Sequence, residues 1–127
     1  MRKTLPPFIA ALVVLIAVLH YAAIVFYLYW AYWWFDIMMH VLGGMAVGLL
    51  LYWFLYRSAI VSIPRLPSWG VVLVGTIVVG VGWEIFEYVI HLTYTNKESY
   101  VFDTSVDLLM DVVGAYGAYV ATRLKLL

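Results

Sequence analysis

Three groups of acidic and imidazole side chains repeat at helical spacing along the chain. Glu84, Glu87 and His91 stand at i, i+3 and i+7 in GWEIFEYVIH (residues 82–91), which places them on one face of a helix. Asp36 and His40 are four residues apart, and Asp103, Asp107 and Asp111 follow one another at i, i+4 and i+8. Carboxylates and imidazoles on shared faces are the groups that hold cations, move protons or act as general acid and base. Glu84 and Glu87 are the candidate catalytic carboxylates. Asp36, His40, Glu84, Glu87, Asp107 and Asp111 are the candidate metal ligands.

These groups sit in a chain built for lipid. Of 127 residues, 67% are hydrophobic and 11% charged, and the mean hydropathy is +1.02. A soluble domain of this length cannot bury that much apolar surface, so an integral membrane protein is expected. Four stretches near the roughly 20-residue length that crosses a bilayer fall at about 8–31, 37–56, 69–91 and 105–123. They predict one all-α, four-span domain over residues 1–127, a transmembrane four-helix bundle. The basic start MRK also suits a signal peptide, but the apolar run is long and no A-x-A site follows, so a retained anchor is expected. There is no cysteine, which excludes disulfides and thiolate metal sites. The basic residues form no stripe of the kind that grips nucleic acid.

Orientation follows from the basic residues. Arg2, Lys3, Arg57, Arg65, Arg123 and Lys125 all fall on one side of a four-span chain, and Lys97 alone falls on the other. Both termini are therefore expected in the cytoplasm of a multi-pass inner-membrane protein. Trp30, Trp33 and Trp34 mark the outer interface, and Tyr52, Trp53 and Trp69 the inner one. Gly44 with Gly48, and Gly114 with Ala118, are small-x-x-x-small pairs that let helix backbones approach. Packing within the bundle is preferred over a dimer seam, and Gly75 and Gly80 lighten the third span.

In this topology all seven acidic residues lie in the outer half or its loops, and spans two, three and four bring polar side chains to a similar depth. No Lys or Arg lies within any span. Like charges gathered at one depth cannot all stay ionised, so either the acids share protons or a cation supplies the missing charge. Oxygen-rich sites suit Mg²⁺, Ca²⁺ or Mn²⁺, and imidazole shifts the choice toward Mn²⁺, Fe²⁺ or Zn²⁺. Plainer roles compete. Asp36 and Asp103 also fit as helix N-caps, and Asp107 as a first-turn partner of the helix dipole. His91 fits as a solvated interface residue. His20, deep in span one, is either an interhelical hydrogen-bonding residue or a member of the site.

Three ordered motifs carry a resemblance: DIMMHVLGG, WEIFEY and DTSVDLLMDVVG. Their order resembles the YjdF-like inner-membrane proteins and, more distantly, the VanZ-like superfamily with its D-[KR]-x-x-H, E-x-x-Q and D-x-x-x-N-x-x-G pattern. The resemblance places family positions on Asp36, His40, Glu84, Glu87, Asp107, Asp111 and Gly114. Ile37 stands where Lys or Arg is usual, Glu87 replaces the Gln and Asp111 the Asn. Each change makes the site more acidic, and Ile37 removes a built-in cation. The resemblance implies an envelope role without naming a reaction.

Three functions are consistent with these features. A metal-dependent enzyme would act on a lipid-linked or envelope substrate at the outer leaflet, with Glu84 or Glu87 as general base. A cation or proton pathway would relay charge through the carboxylates. A structural protein would use the cation only to lock its helices. An enzyme keeps an open coordination position facing a cleft, whereas a structural site is closed.

Overall fold

The computed structural model describes residues 5–58, 68–90 and 99–127. Among them there is no strand, and five α-helices follow in order: α1 (Leu5–Val25), α2 (Leu28–Ala31), α3 (Trp33–Tyr52), α4 (Ser68–Ile90) and α5 (Tyr100–Arg123). A π-helical turn, Trp53–Arg57, extends α3. Three segments are long and apolar enough to cross a membrane: Leu5–Val25, Trp33–Arg57 and Ser68–Ile90. At 24 residues α5 has the length, but Asp103, Asp107 and Asp111 dilute its apolar character.

Local chemistry sets several boundaries. Pro6 and Pro7 occupy the first turn of α1, where a missing N–H costs nothing. The first apolar stretch, expected to run to residue 31, instead breaks after Val25. Tyr27 takes a left-handed conformation (φ 56°), which a side chain with a Cβ adopts rarely, and the chain restarts as the short α2. Asp36 and Asp103 lie in the first turns of α3 and α5, while the cap positions belong to Tyr32 and Ser99. At its far end, the extended backbone of Ser58 stops the π-helical turn, and its hydroxyl donates to the Phe54 carbonyl (2.5 Å).

The helices alternate in direction. Along α3 and α5 the contacts advance together, from Gly44 against Asp111 through Gly48 against Ala115 to the rings of Tyr52 and Tyr119, so the two run parallel. Pairs such as Gly75 with Leu51 and Gly80 with Asp111 set α4 antiparallel to both. Leu5, Ile9 and Leu12 of α1 pack near Leu49 and Tyr52, while Ala23 packs with Phe35 and Met39, so α1 also opposes α3. The acids of α3, α4 and α5 thereby gather at one end, and Arg57, Arg123 and Lys125 lie at the other.

Burial is inverted relative to a soluble protein. The interior holds Gly44, Gly48, Gly114, Ala115 and Ala118 together with His40 and four acids, while Val14, Val18, Val74 and Val78 face outward. That is the pattern expected where lipid is the solvent and helix contact depends on close packing. The seam between α3 and α5 is the most extensive helix pair. A Cβ at Gly44 would overlap the carbonyl of Asp111, and one at Gly114 would overlap the carbonyl of Val41. The two glycines thus serve each other's helix within one chain, in agreement with intramolecular packing.

A Gly114→Val substitution is expected to lower the thermal unfolding midpoint in detergent, at an overpacking cost of at least roughly 1–3 kcal/mol. Gly117→Ala, where an added Cβ meets nothing within 4 Å, should leave it unchanged or raise it slightly. Tryptophan-fluorescence melting of the two variants checks the contrast.

Candidate metal centre

His40 sits at the middle of the cluster, buried on the second turn of α3. Its Nδ1–H donates to Asp111 Oδ1 across the α3–α5 seam (3.2 Å). The carboxylate accepts the proton of that nitrogen, so that a neutral ring would carry its lone pair on Nε2. Nε2 faces three carboxylates from three helices at nearly equal range: Asp107 Oδ1 at 3.8 Å, and Asp36 Oδ1 and Glu84 Oε1 at 3.9 Å each. An imidazole oriented by a carboxylate on one nitrogen, with its other nitrogen free, is the arrangement seen around metal-ligating histidines.

Each carboxylate is delivered by a distinct backbone feature. Asp36 precedes His40 by one helical turn. Asp107 and Asp111 share a face of α5, held against α3 by Gly44 and Gly114. Asp111 also needs Gly80, because a Cβ there would stand 2.6 Å from its Oδ2. Glu84 is 6% exposed, and its Oε2 accepts a hydrogen bond from the Thr104 hydroxyl (2.8 Å). Its Oε1 has no hydrogen-bond partner and points toward Nε2. A buried carboxylate oxygen left unpaired is costly, and a cation between it and Nε2 would satisfy both.

Two overlapping sets have donor atoms within 4.8 Å of one another: Asp36, His40 and Asp107, and His40, Glu84 and Glu87. The two sets bring together five of the six side chains expected to converge, and Asp111 meets them through His40 Nδ1, on the opposite edge of the ring from the other acids. Among the described residues no Lys or Arg is paired with them; the ion pairs in the cluster all involve His40. Asp103 is half-buried and in neither set, and His91 lies outside the described residues.

Beside the cluster is a partly open cavity of about 180 Å³. Asp36, His40, Glu87 and Asp111 form its polar end, with Ile16 of α1, Met39 and Val47 of α3, and Val79 of α4 among its apolar walls. His20 and Tyr29 also line it and share a hydrogen bond (2.8 Å) that ties α1 to α2. His20 thus has an interhelical partner and still borders the cavity, where Trp83 meets its ring edge-on (6.1 Å between centroids). Burial, then the charges of Asp36 and Glu87, push the Tyr29 phenol above its usual range, so it keeps its proton.

A family profile described as "Predicted membrane protein (DUF2238)" matches residues 1–125. The chain belongs to this family. No curated protein and no solved structure matches it. The DUF2238 description specifies a membrane protein and no reaction, so the chemistry of this member rests on its own side chains.

Four participants escaped the sequence reading. Thr104 was accessible to it, since residues 104, 107 and 111 share a helix face. Gly80 is legible as a small residue in the third span but not as the space that Asp111 requires. Tyr29 and Trp83 reach the cavity only because the chain breaks at Tyr27 and α4 leans on α3, and no spacing reveals either.

Thr104→Val should cost about 1–3 kcal/mol of unfolding free energy by stripping a buried carboxylate of its donor, and Thr104→Ser should restore most of it. Denaturant titration in mixed micelles measures both.

Proposed function

We propose that the chain is a four-span inner-membrane protein that binds one divalent cation at His40 and uses it to hydrolyse a lipid or envelope substrate. The observation that carries this reading is the coincidence of three carboxylates from three helices about His40 Nε2, an Oε1 of Glu84 without a hydrogen-bond partner and an adjoining open cavity. Asp36, His40, Glu84 and Asp107 hold the ion, and one imidazole among carboxylates favours Mn²⁺ or Zn²⁺ over Mg²⁺ or Ca²⁺. Asp111 fixes the ring and its tautomer. In this reading α5 is the fourth crossing, carried by its packing on α3.

The bound ion would supply electrophilic polarisation of a carbonyl or phosphoryl oxygen and lower the pKa of water. Glu84, held by Thr104, serves as ligand. Glu87 lines the cavity and acts as general base, accepting a proton from the attacking water and delivering it to the leaving oxygen as the scissile bond breaks. The open cavity weighs against a purely structural cation, which is enclosed by its ligands. The inner half offers little to a proton pathway, since the Thr76 hydroxyl is committed to the Val72 carbonyl (2.8 Å). The resemblance to YjdF-like and VanZ-like sequences adds the envelope setting. The alignment of Arg57, Arg123 and Lys125 at the end away from the acids supports cytoplasmic termini.

Elemental mass spectrometry of detergent-purified protein should find close to one divalent ion per chain. His40→Ala and the Glu84→Ala/Asp111→Ala double variant should lose it, and Asp111→Asn should weaken affinity roughly 10–100-fold. Wild-type protein that stays metal-free after supplementation would refute the centre. Fluorescence of a C-terminal green fluorescent fusion, together with activity of alkaline phosphatase fused after residue 96, tests the orientation; the reverse pattern overturns it.

A further inference from the structure

The cavity has a way in that the metal ligands do not need. Helix α1 packs on α2 and α3 but makes at most sparse contact with α4. Ile16 and Val79 face the resulting gap from its two sides. Val79 and Trp83 both line the cavity and lie 47% and 40% exposed, so it opens sideways between the two helices, at a depth where the surrounding medium is acyl chain.

We propose that this cleft admits a lipid with an uncharged headgroup, entering laterally from the bilayer, and presents its ester carbonyl to the His40 centre. The inference rests on the proposed metal centre and names the substrate class that it serves. Two properties of the cavity select that class. The walls at Ile16, Val47 and Val79 are apolar and suit a hydrocarbon chain that would otherwise lie in the membrane, so its entry needs little desolvation. The other end excludes anions. Phosphate sites use Arg, Lys or clustered backbone N–H groups, whereas this end offers carboxyl groups and one imidazole, and none of the lining residues is Lys or Arg. A phosphate at close range in low dielectric is repelled strongly. An uncharged carbonyl meets no such opposition, and the Tyr29 hydroxyl and the His20 ring offer it hydrogen-bonding groups across from the acids.

The test uses the full-length, metal-loaded protein in detergent, with dioctanoylglycerol and dioctanoyl phosphatidic acid as probes of equal chain length. Native mass spectrometry should show dioctanoylglycerol binding at least ten-fold more tightly. A diazirine placed in one of its acyl chains should label α1 and α4 near Ile16 and Val79. Ile16→Trp and Val79→Trp fill the cleft and should each weaken binding at least ten-fold with metal content unchanged. Val78→Trp, on the exposed outer side of α4 (66% exposed), should change neither. Equal or tighter binding of phosphatidic acid overturns the headgroup assignment. Labelling away from α1 and α4, or full binding by both cleft-filling variants, overturns the route. Either result with one ion still bound per chain refutes this inference alone, whereas a metal-free wild type refutes the centre itself.

Discussion

The contact of Gly44 with the Asp111 carbonyl, mirrored by Gly114 against that of Val41, sets how near α3 and α5 can come. His40 and Asp111 project from the same stretch of that seam, and their 3.2 Å hydrogen bond exists only because no Cβ separates the backbones. Everything else about the cluster follows from this bond. It fixes which edge of the imidazole faces α5 and which faces the remaining acids. It orients the ring about which α4 must arrange Glu84 and Glu87. The small residues of the seam are therefore as much a part of the site as the groups that bear its charge.

Charge accounting gives the same cluster its second constraint. Within a low-dielectric interior, one histidine cannot offset five carboxylates, and the described cations stand at the far end of the helices. The hydrogen bond from Thr104 and the proton on Nδ1 each satisfy one carboxylate oxygen, yet Oε1 of Glu84 remains open. Such a set is unfavourable as a purely structural core with every acid ionised; shared protons or a cation at its centre would each relieve it. Polar groups retained inside a membrane at this cost usually serve a function.

Much of this was legible in the sequence, and for a physical reason. Helical spacing, hydropathy and the distribution of Lys and Arg are one-dimensional records of which face meets lipid, which meets protein and which end meets water. They were enough to bring Asp36, His40, Glu84, Glu87, Asp107 and Asp111 into one group. They did not separate the roles, because the distinction between Asp111 on Nδ1 and the acids facing Nε2 depends on ring orientation across a helix interface. Nor did they place the break at Tyr27. Nothing in the apolar run from α1 to α2 signals a left-handed residue there, and without it Tyr29 would not turn back to meet His20. Span limits were displaced by a few residues where aromatic side chains blur the boundary between apolar and interfacial.

The unequal composition of the helices has a consequence for how the protein is made. α3 leaves the ribosome with His40, α4 follows with Glu84 and Glu87, and only then does α5 arrive with its aspartates. At a synthesis rate of roughly 5–20 residues per second, the glutamates wait a few seconds for their last neighbours. Of the four long helices, α5 alone falls short of the apolarity that would hold it in lipid by itself. If α5 is the fourth crossing, as proposed, its residence in lipid would depend on a seat already prepared by α3, so that its membrane integration and assembly of the site would be a single event.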